Sequence, residues 1–393
     1  MRKPHLNILI LDAGRQALPF LKSYAKAGHH ITVVCNTRLN ECYFSRYPNR
    51  KLLWPNYVNQ RDEFEQKLFE YLENNTVDVT ISVGDISSDI LSKNKSRIEK
   101  FTHITSPEYE TFLQGADKLK LMKYCMANHL PCPKTFELDE SILGKLESLI
   151  GFPVIIKPLR GVGAVGVKRY NNIHTLTQEY SSLKQEFGSL LVQEYIPQEG
   201  GVQYQAEAFL DERHMLRACL VILKPRFFPV TGGTSTANVT VEHTEIHEIT
   251  KQLLEGLKWQ GPADVDYIFD PRDNTPKILE INPRVTAGIK IGFVAGIDFA
   301  DLHLNLALKE EVPLIRDYRK DVLCRNVFLE ILWFLFSTWE MKHNMQPSLL
   351  RLYGKNSVDQ LFSWDDPFTG LGFFLHMIKK YLSFKNFKAK FLK

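Results

Sequence analysis

The sequence predicts a mixed α/β and α+β chain with a doubly wound parallel sheet near its N-terminus. Two patterns predict it. The first is a βαβ opening: apolar Leu6 to Leu11, a tight turn at Asp12-Ala13-Gly14-Arg15, a helical stretch from Gln16 to Ala27 closed by Gly28, and a second strand from Ile31 to Cys35. The second lies far downstream. Ala263 to Phe269 and Lys277 to Asn282 both alternate, and the turn-forming run Asp270-Pro271-Arg272-Asp273-Asn274-Thr275-Pro276 separates them. The first pattern requires parallel strands, and the second reads as an antiparallel hairpin.

At 393 residues the chain is long enough for two or three domains. Its 44% hydrophobic and 24% charged content is that of a globular protein, and a net charge of +4 is too mild to argue for nucleic acid. Cys35, Cys42, Cys125, Cys132, Cys219 and Cys324 form no Cys-x-x-Cys pair. That argues against a zinc cluster or disulfide framework and for a reducing compartment. The run Ile8 to Leu11 stops at Asp12, short of a signal peptide. Val327 to Trp339, interrupted by Glu330, falls short of the roughly 20 residues of a membrane span. A cytoplasmic location is therefore expected.

The opening unit invites a dinucleotide reading, but the turn has Gly14 alone and Asn36 stands where the ribose acid would be. Val77 to Val83 adds a strand ending at Gly84-Asp85, so a ligand would sit near Asp12 to Arg15 and Gly84 to Ser87. Ser45-Arg46-Tyr47 reads either as an anion contact or as a solvated loop. Asp117 to Lys123 opens a helix that Leu130 to Thr135 breaks. Val154 to Pro158 is a short strand with Lys157 near its end. Gly161, Gly163 and Gly166 follow, either as a phosphate-cradling loop or as a plain hairpin turn; no Gly-Lys-Ser/Thr follows, so it is not a P-loop. Further strands are expected at Leu190 to Ile196, Gln203 to Leu210 and Met215 to Leu223. A glycine-hydroxyl loop at Thr231 to Ser235 and a helix from Ile246 to Leu257 come next.

Read with period two, Ile278, Glu280 and Asn282 share one face of a strand, with Leu279 and Ile281 on the other. Asp264 and Asp266 would stand beside Glu280 and Asn282. Oxygen ligands next to Arg284 fit Mg²⁺ carrying phosphates; an ordinary hairpin with a polar face fits equally. Arg226 reads equally as a carboxylate anchor or a structural arginine.

The order of these parts resembles the ATP-grasp superfamily of carboxylate–amine ligases over residues 1 to about 310. The parts are Lys118, Val154 to Pro158, the glycine loop, Gln193-Glu194-Tyr195-Ile196, Asp266 and Leu279 to Arg284. The resemblance implies an ATP-grasp fold: a Rossmann-like domain over 1–110, an ATP-grasp domain over 111–310 with its hinge at 193–196, and a C-terminal extension over 311–393. It implies that Lys118 and Lys157 contact ATP phosphates, that Gly161, Gly163 and Gly166 close over them, and that Gln193, Glu194, Tyr195 and Ile196 receive adenine. Asp266, Glu280 and Asn282 match the Mg²⁺ ligands, where Mn²⁺ can substitute, and Arg284 matches the arginine that steadies an acyl-phosphate. Lys157 and Arg284 are the catalytic pair it implies. The chain departs from the family at Ala164 and Val165, where serines are common, and at Gln193, where an acid is common. Glu199 or Gln203 would take the ribose. The implied activity joins a small carboxylate to an amine with ADP and phosphate as products. The alternative is an ATP-binding regulatory or scaffold protein without ligation. A homodimer is compatible with either.

Beyond Asp366 the chain has no acid, and Lys379, Lys380, Lys385, Lys388, Lys390 and Lys393 alternate with aromatic and aliphatic residues. This reads either as a surface helix with solvated lysines or as a peripheral membrane contact through residues 374–393.

Overall fold

The computed structural model describes residues 5–159, 166–197, 203–230, 233–348 and 356–381. The predicted Gly161 and Gly163, the ribose candidate Glu199, Thr231, Gly232 and the tail from Leu382 lie outside the described residues.

Strands β1 (Asn7–Leu11), β2 (His30–Cys35), β3 (Arg50–Leu53) and β4 (Val79–Ser82) form an all-parallel sheet in the order β3-β2-β1-β4. Alternation within β1 explains why both faces are covered. Ile8 and Ile10 pack with Phe20, Leu21 and Tyr24 of helix Leu18–Ala27. Leu9 and Leu11 pack with Phe64, Leu68 and Leu72 of helix Arg61–Asn74. The first helix begins at Leu18 rather than Gln16, after a 3-10 turn at Arg15–Ala17, with Pro19 in its first turn. Gly28 closes it at φ +86°.

A second sheet is antiparallel: β5 (Thr135–Leu138), β6 (Val154–Pro158), β7 (Lys168–Tyr170) and β8 (Leu190–Glu194), in the order β5-β8-β6-β7. Leu176, Tyr180 and Leu183 of helix Ile173–Phe187 cover it. The third sheet has seven strands: β9 (Gln203–Leu210), β10 (Leu216–Phe228), β11 (Thr234–Thr240), β12 (Gly261–Asp270), β13 (Thr275–Asn282), β14 (Leu323–Arg325) and β15 (Ser357–Asp359). Their order is β13-β12-β9-β10-β11-β14-β15, so two strands from beyond residue 310 complete it. Pro276 is tolerated because β13 is an edge strand.

Two expectations about strands are corrected. Strand β10 runs five residues past Leu223, because register shifts around Pro225 let the chain keep pairing with β11. In β13, Asp266 pairs with Glu280 but Tyr267 pairs with Ile278, leaving Leu279 as a bulge. Ile278 therefore shares the buried face of Ile281, not the face of Glu280.

The helix expected over Val327 to Trp339 is two. Helix Val327–Phe336 stops at Ser337, and Thr338 caps helix Trp339–His343 by accepting from the Met341 amide. The Ser45-Arg46-Tyr47 question is also resolved. The Ser45 hydroxyl and Arg46 amide donate to Asp366, and the Tyr47 hydroxyl donates to Asp365 at 2.6 Å, so the anions met are the chain's own. Among the described residues no helix is long and apolar enough to cross a membrane.

Arg226 is structural. Its guanidinium donates twice to Glu330, at 3.0 and 2.6 Å, and once to the Pro347 carbonyl at 2.8 Å. Both partners are almost wholly buried. Removing one partner strands the other charge, so Arg226→Ala is expected to cost about 3–5 kcal/mol of stability, read from the urea unfolding midpoint.

Candidate active site

The alternation of β9 and β12 builds the site. Ala206, Ala208, Val265 and Tyr267 face one way and pack with Ile246 and Leu253 of helix Thr244–Gly256. Their neighbours face the other way. Glu207, Asp264 and Asn282 stand in one row across β9, β12 and β13, and Gln205, Asp266 and Glu280 stand in the next. Hairpin presentation of Asp264 and Asp266 beside Asn282 and Glu280 was legible in the sequence. Gln205 and Glu207 were missed, although the polar-apolar alternation of Gln203 to Leu210 carries the signal.

Four carboxylates on one face demand cations. Lys118, first residue of helix Lys118–Ala127, reaches Glu280 at 2.9 Å; Asp117 caps that helix by accepting from the Leu119 and Lys120 amides. Lys224, buried on β10, hydrogen-bonds Asp266. Burial opposes its charge, but Asp266 and Asp264 hold its pKa above the ordinary lysine value. Sequence reasoning assigned Lys224 no role. Burial likewise opposes charge on Glu280, and Lys118 outweighs it, keeping the carboxyl below its usual range.

Asp264 has a different state. It is fully buried, accepts from the Asn282 amide at 2.8 Å, and its other oxygen has no hydrogen-bond partner. Burial, with Asp266 and Glu207 nearby, pushes its pKa well up. Glu207 is pushed to about 7 by burial, partly offset by the Thr286 hydroxyl and amide that donate to it. These contacts give Asp264 a definite partner, where the sequence left it outside the motif.

Lys157, at the end of β6, joins the second sheet to this line. It donates to the Gln193 carbonyl oxygen at 2.7 Å, and Gln193 donates to Thr135 at 2.9 Å. Burial and the nearby Lys118 lower its pKa to about 8, against Glu280. Glu194 is bound to Arg272 at 2.5 Å, and Arg169 stacks 3.9 Å over the Tyr195 ring. Ile196 is buried. Gly166 takes φ +76° against Pro158, where a Cβ would come within 2.6 Å of the proline ring.

At the other end, Arg284 turns toward the parallel sheet. Its Nε donates to Asp85 at 2.9 Å, beside the Gly84 turn at the carboxyl end of β4. Asp12, at the carboxyl end of β1, lies so close that a Cβ on Gly84 would meet its Oδ2 at 1.5 Å. Burial raises Asp12 to about 7, against a hydrogen bond from Tyr57. Three ion pairs, Lys118–Glu280, Lys224–Asp266 and Arg284–Asp85, and one hydrogen-bonded pair, Asn282–Asp264, thus gather around the β12–β13 hairpin, with Lys157 near Lys118 and Glu280.

Among the described residues no group of three or more His, Cys, Asp or Glu is placed to hold a metal ion. Asp266, Glu280 and Asn282 are nonetheless an all-oxygen set on paired strand positions. Lysine ammoniums already stand on both carboxylates, and the Asn282 amide nitrogen is used by Asp264, which leaves its carbonyl oxygen to offer. The set suits a hard divalent ion that completes its shell with phosphate oxygens.

Residues 115–288, somewhat under half of the chain, match the family model of the ATP-grasp domain. It is 26% identical over 225 residues to D-aspartate ligase of Enterococcus faecium, covering 52% of this chain and 52% of that protein. It is 23% identical over 210 residues to D-alanine–D-alanine ligase of Francisella tularensis, covering 50% of this chain and 67% of that one. The alignment thus spans about half the length of the D-aspartate ligase. In fold it is similar to biotin carboxylase of Campylobacter jejuni, with a TM-score of 0.70 at 16% identity, over 81% of this chain and 74% of that one.

Asp12 predicts a pH dependence. Its folded pKa lies above the ordinary carboxyl value, so the folded chain holds this proton more tightly than the unfolded chain. That contribution to stability is lost as pH rises from about 4 through about 7. Asp12→Asn is therefore expected to gain stability relative to the parent as pH goes from 5 to 8, followed by thermal melts at both values.

Proposed function

We propose that the chain is an ATP-dependent carboxylate–amine ligase. ATP phosphorylates a small carboxylate, and an amine displaces phosphate from the acyl-phosphate to form an amide-type bond. The observation that carries this reading is the set of ion pairs Lys118–Glu280, Lys224–Asp266 and Arg284–Asp85 around the β12–β13 hairpin, the last reaching the parallel sheet, with Lys157 of the antiparallel sheet near Glu280. In this reading residues 1–110 and 111–310 divide the work between substrate and ATP, with 193–196 as the hinge and 311–393 as an extension.

Lys118 and Lys157 contact phosphates, Gly161, Gly163 and Gly166 close over them, and Gln193 to Ile196 take the adenine. Asp266, Glu280 and Asn282 hold Mg²⁺ or Mn²⁺, which when bound neutralises charge on the transferring phosphoryl group. Asp264 fixes the Asn282 amide so that its oxygen serves the ion. Arg284, held by Asp85, stands where the carboxylate would enter from the loops after β1 and β4, and offers its guanidinium to the acyl oxygens. ATP as a substrate confines the reaction to the cytoplasmic side. A peripheral membrane contact of residues 374–393 belongs to the same proposal.

The test is ADP release from Mg·ATP against a panel of amino acids and small carboxylates, singly and in pairs. Release that requires one carboxylate and one amine supports the ligase. ATP binding by calorimetry with no release from any pair supports the regulatory or scaffold reading instead. Glu280→Gln and Arg284→Ala are each expected to lower product formation about 10²-fold or more with the fold intact; near-parental turnover in either would sink the assignment.

Lys157 adds a second expectation. Its ammonium is lost as pH passes about 8, so affinity for an unhydrolysable ATP analogue is expected to fall from pH 7 to pH 9. Lys157→Arg, charged throughout, should bind with a flatter profile.

A further inference from the structure

Exposed large hydrophobic side chains are not spread evenly. Among the described residues, twelve of eighteen lie between Ile331 and Ile378. Eight of these belong to two helices that already bury one face each. Leu329 and Trp333 of helix Val327–Phe336 and Met377 of helix Phe368–Tyr381 pack together with Phe228. The outward faces are also apolar. The first presents Ile331, Phe334 and Leu335, with Trp339 just beyond at 77% exposure. The second presents Phe368, Leu371, Phe374 and Ile378, spaced as a helical stripe. The stripes meet where the Phe328 and Phe374 rings lie 5.5 Å apart. Trp364 adds a second tryptophan, 89% exposed, next to Phe362.

We propose that this two-helix face is a membrane-binding surface that seats on an anionic lipid bilayer. The proposal extends the contact well beyond residues 374–393 and does not depend on ligation. Four observations favour lipid. The patch is broader than the scattered apolar residues a soluble surface carries. Trp339, just beyond the first stripe and 77% exposed, is a side chain suited to the headgroup boundary. The helix Phe368–Tyr381 has 14 residues, about 21 Å by helical rise, so it can lie in the interface but not cross the roughly 30 Å core. Charge complements the patch: from Pro367 onward the sequence holds six lysines and no acid, beginning with Lys379 and Lys380 on this helix. A second copy fits less well. A two-fold interface would set this lysine-ended helix against its own copy. The core of a protein interface is also depleted in lysine.

The experiment uses the full chain in sedimentation with vesicles of phosphatidylcholine alone or with about one third phosphatidylserine. Binding is expected to the anionic vesicles, weak or none to the neutral ones, and release at high salt. The exposed changes Leu335→Ser with Trp339→Ser should lower binding about tenfold or more while the circular dichroism spectrum is unchanged. A chain ending at Tyr381 should also bind less, because each lysine lost weakens attraction to the anionic surface. Three results would overturn the proposal. One is no binding to either vesicle. Another is a dimer by light scattering, without lipid, that the Leu335→Ser, Trp339→Ser variant abolishes, which assigns the face to a second copy. The third is tighter vesicle binding by the shortened chain, which assigns the face to the chain's own tail.

Discussion

Four carboxylates on one face of a three-strand stretch cannot all stay charged and unpaired. Asp264, Asp266, Glu207 and Glu280 occupy neighbouring positions on β9, β12 and β13, two of them almost fully buried. The chain meets this in two ways. Asp266 and Glu280 receive ammonium partners, Lys224 and Lys118. Asp264 and Glu207 move their pKa values upward, and hydrogen-bond donors from Asn282 and Thr286 occupy them. The split follows depth: the paired carboxylates lie toward the cleft, and the shifted ones lie behind them. The outer pair meets lysine ammoniums, and burial favours the neutral form of the inner pair, which hydrogen bonds from Asn282 and Thr286 hold in place.

This crowding also draws the sheets together. Lys118 comes from a helix that follows the parallel sheet, Lys157 from the antiparallel sheet, and Arg284 leaves β13 to meet Asp85 at the end of β4. Elements with separate hydrophobic cores thus converge through charge. The bulge at Leu279 contributes, since it returns Ile278 to the buried face while leaving Glu280 and Asn282 on the polar one. A regular strand could not bury Ile278 and Ile281, three residues apart, on one side.

The parallel sheet and the hairpin were legible in the sequence because each rests on a local pattern, an unbroken apolar run at Ile8 to Leu11 and alternation from Ala263 to Tyr267. The helix that opens at Asp117 was legible as well, but that Asp117 caps it is shown only by the structure. What was not legible depends on partners distant in sequence. Lys224 has a role only because β9 places β10 near Asp266. Arg226 is structural only because Glu330, about a hundred residues later, is buried against it. Ser45 and Tyr47 looked ready for an external anion because Asp365 and Asp366 are hundreds of residues away. The two-helix break at Ser337 and Thr338 was readable from the capping residue, but the predominantly apolar stretch on both sides hid it.

The lysines on Asp266 and Glu280 raise a question of energetics that the proposed reaction answers. A divalent ion would need the same oxygens, so its entry would displace Lys118 from a part-exposed carboxylate and Lys224 from a largely buried one. Stripping a buried ion pair of one partner is costly. In the ligase reading the displaced lysines are not stranded, since the ion arrives with nucleotide phosphates and each ammonium exchanges a carboxylate for a phosphate oxygen. The metal alone offers the carboxylates a better partner but leaves Lys118 and Lys224 with none. Nucleotide alone offers the lysines phosphate but leaves Asp266 and Glu280 unpaired. In that reading only the two together keep every charge matched, so the contacts that hold the free chain together would select metal and nucleotide as one ligand.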